Sequence, residues 1–170
     1  LGYIDEQIEF IDSLNRNLMK RLKIRLASDN FDWNLEKRLL DSGYENLFDN
    51  SKQKFIPRLN GCSLSVSTSN TTNFLETLSL NFPTIVFFNP IWHEIREDAK
   101  VLVDSLRGVG ILHETPDSAA IFLNGLGGDI TNWWSGEELQ KVRKEFCNTY
   151  ALKDSDWSHQ WQQLFKSLKK

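Results

Sequence analysis

Cysteine is nearly absent from this chain of 170 residues: Cys62 and Cys147 are the two. Their spacing matches neither a metal site nor a redox pair, which fits a reducing compartment. Charge of one sign is lacking too. Twenty Lys and Arg against 23 Asp and Glu leave a formal net charge of −3, so there is no basic field for nucleic acid or acidic lipid. Apolar runs such as Ile85 to Phe88 fall far short of the roughly 20 residues of a membrane span. The chain starts at Leu1, with no initiator Met and no basic-then-apolar leader. No targeting signal is readable, and a fragment of a longer protein is expected. What remains is 40 % hydrophobic and 25 % charged, a globular composition. A chain this long buries about 70 % of its unfolded surface without disulfide or metal.

The apolar periodicity alternates between two kinds of segment. Ile4, Ile8, Ile11, Leu14 and Leu18 share one helical face. Arg21 to Leu26 alternates strictly, which predicts a strand with one wet face. A turn over Asp29 to Asn34, a short helix on Leu35, Leu39 and Leu40, a brief strand at Tyr44 to Phe48 and a helix over 52–60 follow. Ser63 to Val66 reads as a strand, Phe74 to Phe82 as a helix. Pro83 to Phe88 is β-branched and aromatic on both faces, the pattern of a parallel strand covered on both sides. Ile95 to Leu106 is helical and closed by Gly108, and Val109 to Leu112 is a short strand. Thr115-Pro116 starts a helix that Gly127-Gly128 stops. Ser135 and Glu138 form a capping box, and a last helix from Asp154 or Ser155 carries Trp157, Trp161, Leu164 and Leu168. About five strands alternating with helices predict an α/β fold, a doubly wound, mostly parallel sheet with extra C-terminal helices. Residues 1–132 form the sheet unit and 133–170 pack on it.

Open sheets of this kind hold ligands at the carboxyl ends of their strands. The loop after strand 63–66 is therefore the informative one. Seven of the ten residues from Ser63 to Thr72 carry hydroxyls, and they lead straight into a helix. A helix amino terminus offers unpaired N–H groups and about half a positive charge. Thr68, Ser69, Asn70, Thr71 and Thr72 thus suit a phosphate. Glu76, one turn on, suits a ribose diol. Ordinary capping and ordinary dipole complementarity account for the same residues.

The run from Ser67 to Pro90 resembles the donor-binding half of GT-B glycosyltransferases: a strand, a small-residue phosphate loop, a helix with a ribose-binding Glu, and a Pro-led hydrophobic strand. Nearly the whole chain is similar to a family of bacterial surface-carbohydrate transferases. The resemblance is carried by Tyr3, Gln7 and Phe10, Arg25-Leu26, Asp32-Trp33 with Arg38, and Asn89-Pro90 with Trp92, His93, Glu94 and Arg96. Residues 115–120, Trp133-Trp134 and Arg143 to Phe146 complete it. It implies that Ser69 to Thr72 hold the donor's phosphates and Glu76 the ribose. Arg25 would offset phosphate charge, and His93 and Asn89 would contact pyrophosphate or sugar. A solvated strand face for Arg25 and a helix-capping role for His93 are the plain alternatives. The substrate would be a nucleotide-diphosphate sugar with a carbohydrate acceptor, and no cofactor or metal is implied. The family's opening strand, its acceptor half and the catalytic base are missing from these residues. The chain alone is expected not to turn over. It is expected in the cytoplasm, with peripheral contact at the inner membrane face open.

Other motifs carry less. Asp154-Ser155-Asp156 has the Asp-x-Asp form of a metal-holding transferase but sits at a helix start. Gly125 to Gly128 ends a helix instead of following a strand. The three histidines share no metal-ligand spacing, and no nucleophile elbow is present. Stacking on sugars is one use for Trp133, Trp134, Trp157 and Trp161; packing the C-terminal helices onto the sheet or onto the absent half is the expected one. Two other readings stand beside the glycosyltransferase: a phosphotransferase using a CDP-linked polyol, and a non-catalytic interaction module with the Trp-rich helices as its face.

Overall fold

The computed structural model describes residues 2–26, 34–152 and 156–168. The element order is α1 (Gly2–Ser13), α2 (Arg16–Met19), α3 (Leu35–Asp41), α4 (Phe55–Leu59), β1 (Ser65–Ser67), α5 (Thr72–Ser79) and β2 (Thr84–Phe87). There follow α6 (Lys100–Gly108), β3 (Leu112–His113), α7 (Pro116–Gly125), α8 (Ile130–Trp134), α9 (Glu137–Tyr150) and α10 (Trp157–Ser167). Among the described residues the sheet is parallel, with order β1-β2-β3. The architecture is α/β, but with three strands where about five were expected.

The two missing strands have a common cause. Arg21 to Leu26 does alternate in burial, with Leu22, Ile24 and Leu26 half-buried. Its backbone, however, meets the chain at one parallel bridge, Ile24 to Phe48. Residues Glu45–Leu47 coil into a 3-10 turn, so neither segment has a ladder to join. Alternation recorded which side chains face the core, and pairing did not follow from it. The expected turn over residues 29–33 and the start of the last helix at 154–155 lie outside the described residues.

Helices cover both faces of the sheet. On one, Phe74 and Leu78 of α5, Val103 and Leu106 of α6, and Leu139 and Phe146 of α9 pack with Val86 and Phe88. On the other, Phe10, Ile11 and Leu14 of α1 and Ala119, Ala120 and Leu123 of α7 pack with Ile85 and Phe87. β2 is buried along its whole length, which is why no polar face is visible between Thr84 and Phe88. Asn15 breaks the expected helix 4–18 in two, because its side chain accepts the N–H groups of Asn17 and Leu18 and so caps α2.

Two helix ends aim the strands. After α5, Asn81 is left-handed (φ 55°); its N–H reaches the carbonyl of Leu78, and Phe82 N–H reaches Thr77. After α6, Gly110 does the same at φ 75°, with bonds to the carbonyl of Arg107 and from Ile111 to Leu106. Both are Schellman closures. Gly110, not Gly108, therefore turns the chain into β3. Thr115 caps α7 as expected, accepting the N–H of Ser118. The capping box at Ser135 does not form. Ser135 is the C-cap of α8, and Gly136 takes the N-cap of α9 with no side-chain bond. Trp133 and Trp134 pack as expected, their indole N–H groups held by the carbonyl of Val109 and by Asn81. Trp157 and Trp161 do not reach the sheet: they are 61 % and 52 % exposed.

Candidate functional site

The loop from β1 to α5 lies at the carboxyl edge of the sheet. Its hydroxyls bond within the loop or to α1 instead of to the opening turn of α5. Ser67 Oγ donates to the carbonyl of Ser69 at 3.2 Å, and the Ser69 and Thr71 hydroxyls meet at 3.2 Å. Thr71 occupies the N-cap position with no side-chain cap bond. A threonine there normally accepts an N–H of the first turn; here that turn is left uncapped. Asn70, Thr71, Thr72 and Asn73 are all exposed, so the amino end of α5 is open to solvent.

Helix α1 ties down the strand ends beside this loop. The hydroxyls of Tyr3 and Thr68 lie 3.0 Å apart, and Asn89 Nδ2 donates to Glu6 Oε1 at 3.3 Å. Tyr3, Glu6 and Phe10 lie at helical spacing, so one face of α1 bridges the ends of β1 and β2. Tyr3 and Glu6 were not foreseen as site residues. Their spacing was visible, but partners 65 and 83 residues away were not. Asn89 also accepts the N–H of Ile91, which turns the chain away from β2. His93 is half-buried, its ring edge-on to Phe88 at 5.2 Å.

Two cavities flank the loop. One, of about 380 Å³, has Tyr3, Thr68 and Arg25 in its wall. The other, of about 240 Å³, is walled by Phe74, Phe88 and Phe146, with Asn70, Glu94 and Arg96 also lining it. Arg25 and Thr68 thus share a cavity, but Arg25 is not free to serve the loop. Its guanidinium donates to the carbonyl of Gln53 at 2.6 Å and lies 3.5 Å from Asp49. Burial acts to raise the Asp49 carboxyl, but the Ser51 N–H, Arg58 and Arg25 outweigh it and hold it below its usual range. Glu76 is exposed and lines neither cavity. The structure therefore gathers Thr68, Ser69, Asn70, Thr71 and Thr72, with Asn89 alongside. It leaves Glu76 on the open face of α5 and Arg25 in its own ion pair.

At β3 the ring of His113 bonds to the Gly110 carbonyl at 3.1 Å and packs against Phe122. Burial pushes its pKa below the usual value, and the Gly110 bond only partly offsets this. Among the described residues, no group of three or more His, Cys, Asp or Glu is placed to hold a metal ion. What the edge offers is the uncapped amino end of α5 beside a loop of hydroxyls, with the Glu6 carboxylate held by the Asn89 amide at the end of β2; an open helix amino end suits an oxyanion.

A family model described as LIC12162 family transferase matches residues 1–165. The chain belongs to the LIC12162 family of transferases. The match takes in all three strands and the edge just described, so this family member carries its candidate site inside the shared region. No curated protein and no solved structure matches the chain. No helix among the described residues is long and apolar enough to cross a membrane.

Proposed function

We propose that this chain is the donor-nucleotide-binding half of a GT-B-like glycosyltransferase that serves surface-polysaccharide assembly. Membership of a transferase family supports the reaction class. The observation that carries the finer reading is the uncapped amino end of α5, set at the carboxyl edge of a parallel sheet beneath a loop of hydroxyls. The first-turn N–H groups and the hydroxyls of Ser69, Thr71 and Thr72 hold the donor's diphosphate. Glu76, exposed on the same helix, accepts the ribose hydroxyls once the nucleotide lies along α5. Asn89 and His93, at the end of β2, face the sugar side. When the glycosidic bond breaks, charge grows on the departing diphosphate. Fixed amide dipoles stabilise that charge more than the ground state. The acceptor's proton leaves to a base outside these residues.

Calorimetry with uridine, guanosine, adenosine and cytidine diphosphates tests this reading. One of them should bind, and Glu76→Ala should weaken it by about 1.5–3 kcal/mol, the worth of hydrogen bonds to a charged group. That is roughly a ten- to hundredfold rise in Kd. No binding by any of the four, or a mutant with unchanged affinity, counts against it. Preference for the cytidine nucleotide would favour the polyol-phosphate reading.

A further inference from the structure

Helix α10 stands apart in this molecule, because every residue from 156 to 168 is exposed. Its apolar side chains are nevertheless ordered by position. Trp157, Trp161, Leu164, Phe165 and Leu168 recur at the spacing of one helical face. Their exposures run from 47 % to 71 %. Trp161 and Phe165 touch, with ring centroids 5.5 Å apart. A contiguous apolar face of this kind is not left in water without a use.

Charge indicates what covers it. From Trp157 to Lys170 there is no Asp or Glu, and there are three lysines, Lys166, Lys169 and Lys170. The rest of the chain has the opposite imbalance, 17 Lys and Arg against all 23 Asp and Glu. We propose that α10 is an interfacial anchor whose Trp- and Phe-bearing face inserts into the surface of an anionic lipid bilayer. Aromatic rings settle at the boundary between headgroups and acyl chains, and lysine on the polar side of such a helix is drawn to anionic headgroups. A protein groove would bury the same apolar face but gives no reason for the lysine excess. A lipid surface accounts for both. The inference stands independently of the nucleotide reading.

The test uses the full chain and vesicles of phosphatidylcholine, alone or with about 30 mol % phosphatidylglycerol. The protein should float with the anionic vesicles at least tenfold better than with the neutral ones, and added salt should reduce the difference. Each lysine near such a surface is worth about fivefold in affinity. Lys166→Gln, Lys169→Gln and Lys170→Gln together should therefore weaken binding on the order of a hundredfold. Trp161→Ser with Phe165→Ser should abolish it. Lys166, Trp161 and Phe165 are exposed, so circular dichroism should show an unchanged body. Trp157→Phe with Trp161→Phe supplies an independent check. It should keep flotation yet lose most of the quenching that brominated lipids produce in the wild type. Three results would overturn the proposal: no flotation with either vesicle, flotation indifferent to the lysine and Trp/Phe substitutions, or self-association through α10 without vesicle binding.

Discussion

Replacing Gly110 by alanine should destabilise the protein by about 2–5 kcal/mol, the sum of two effects that can be separated. Gly110 sits at φ 75°, where a Cβ costs about 1–2 kcal/mol against the following carbonyl. The new methyl would also lie 2.4 Å from Cζ and 2.6 Å from Cε2 of Phe122. That ring cannot swing aside freely. It lies 5.2 Å from His113 on one contact and 5.5 Å from Trp133 on another, and the Trp133 indole is fixed to the Val109 carbonyl. Overpacking of this kind costs about 1–3 kcal/mol. Gly127 provides the control, since its φ is 58° and a Cβ there meets nothing within 4 Å. Gly127→Ala should show the left-handed strain alone. Urea unfolding with linear extrapolation measures both, and a constant m value licenses the comparison. In the Gly110→Ala/Phe122→Ala double variant the clash disappears, so the total loss should fall short of the summed single losses by about 1–3 kcal/mol. Equal midpoints for Gly110→Ala and Gly127→Ala, or strict additivity in the double variant, would refute the packing argument.

Thr115→Ala removes the oxygen that accepts the Ser118 N–H at 3.1 Å and should cost about 1 kcal/mol in the same assay. The neighbouring Ser118→Ala should cost less, because its hydroxyl donates to a carbonyl that the helix already uses. His113 predicts a pH dependence of definite sign. Its folded pKa is lowered by burial, so the unfolded chain takes up the proton first, near the ordinary value of about 6.5. Stability should hold above that pH and decline as pH falls through it, levelling off below the folded pKa. In His113→Phe, whose ring keeps the contact with Phe122, urea midpoints measured between about pH 7.5 and 5 should decline less than in the wild type. An identical slope in the two proteins would assign the dependence elsewhere.

Legibility in the sequence followed burial. The stretch from Thr84 to Phe88 reads directly as a covered strand, because both faces of β2 meet helices. Thr115-Pro116 reads directly as a helix start, because capping depends on neighbours in sequence. Arg21 to Leu26 misled because alternation reports one buried face, and Ile24 found a single bridge in place of a ladder. Ser135 misled by one residue: Gly136 can take the N-cap dihedrals at little cost, and Ser135 donates back to the Asn132 carbonyl. At the site, the hydroxyl loop was legible because seven such residues lie together in sequence. The bridges from Tyr3 and Glu6 were not, because they depend on where α1 docks. Nor was the engagement of Arg25 by Asp49, which requires the chain to return at Ile24 to Phe48.

In the proposed function the amides opening α5 face an anion. Backbone amide shifts followed during a nucleoside-diphosphate titration test it most directly. Saturable shifts are expected, largest from Ser69 to Asn73, with a smaller response at Glu76 and Asn89. Shifts centred on another surface, or none at all at millimolar nucleotide, would contradict it.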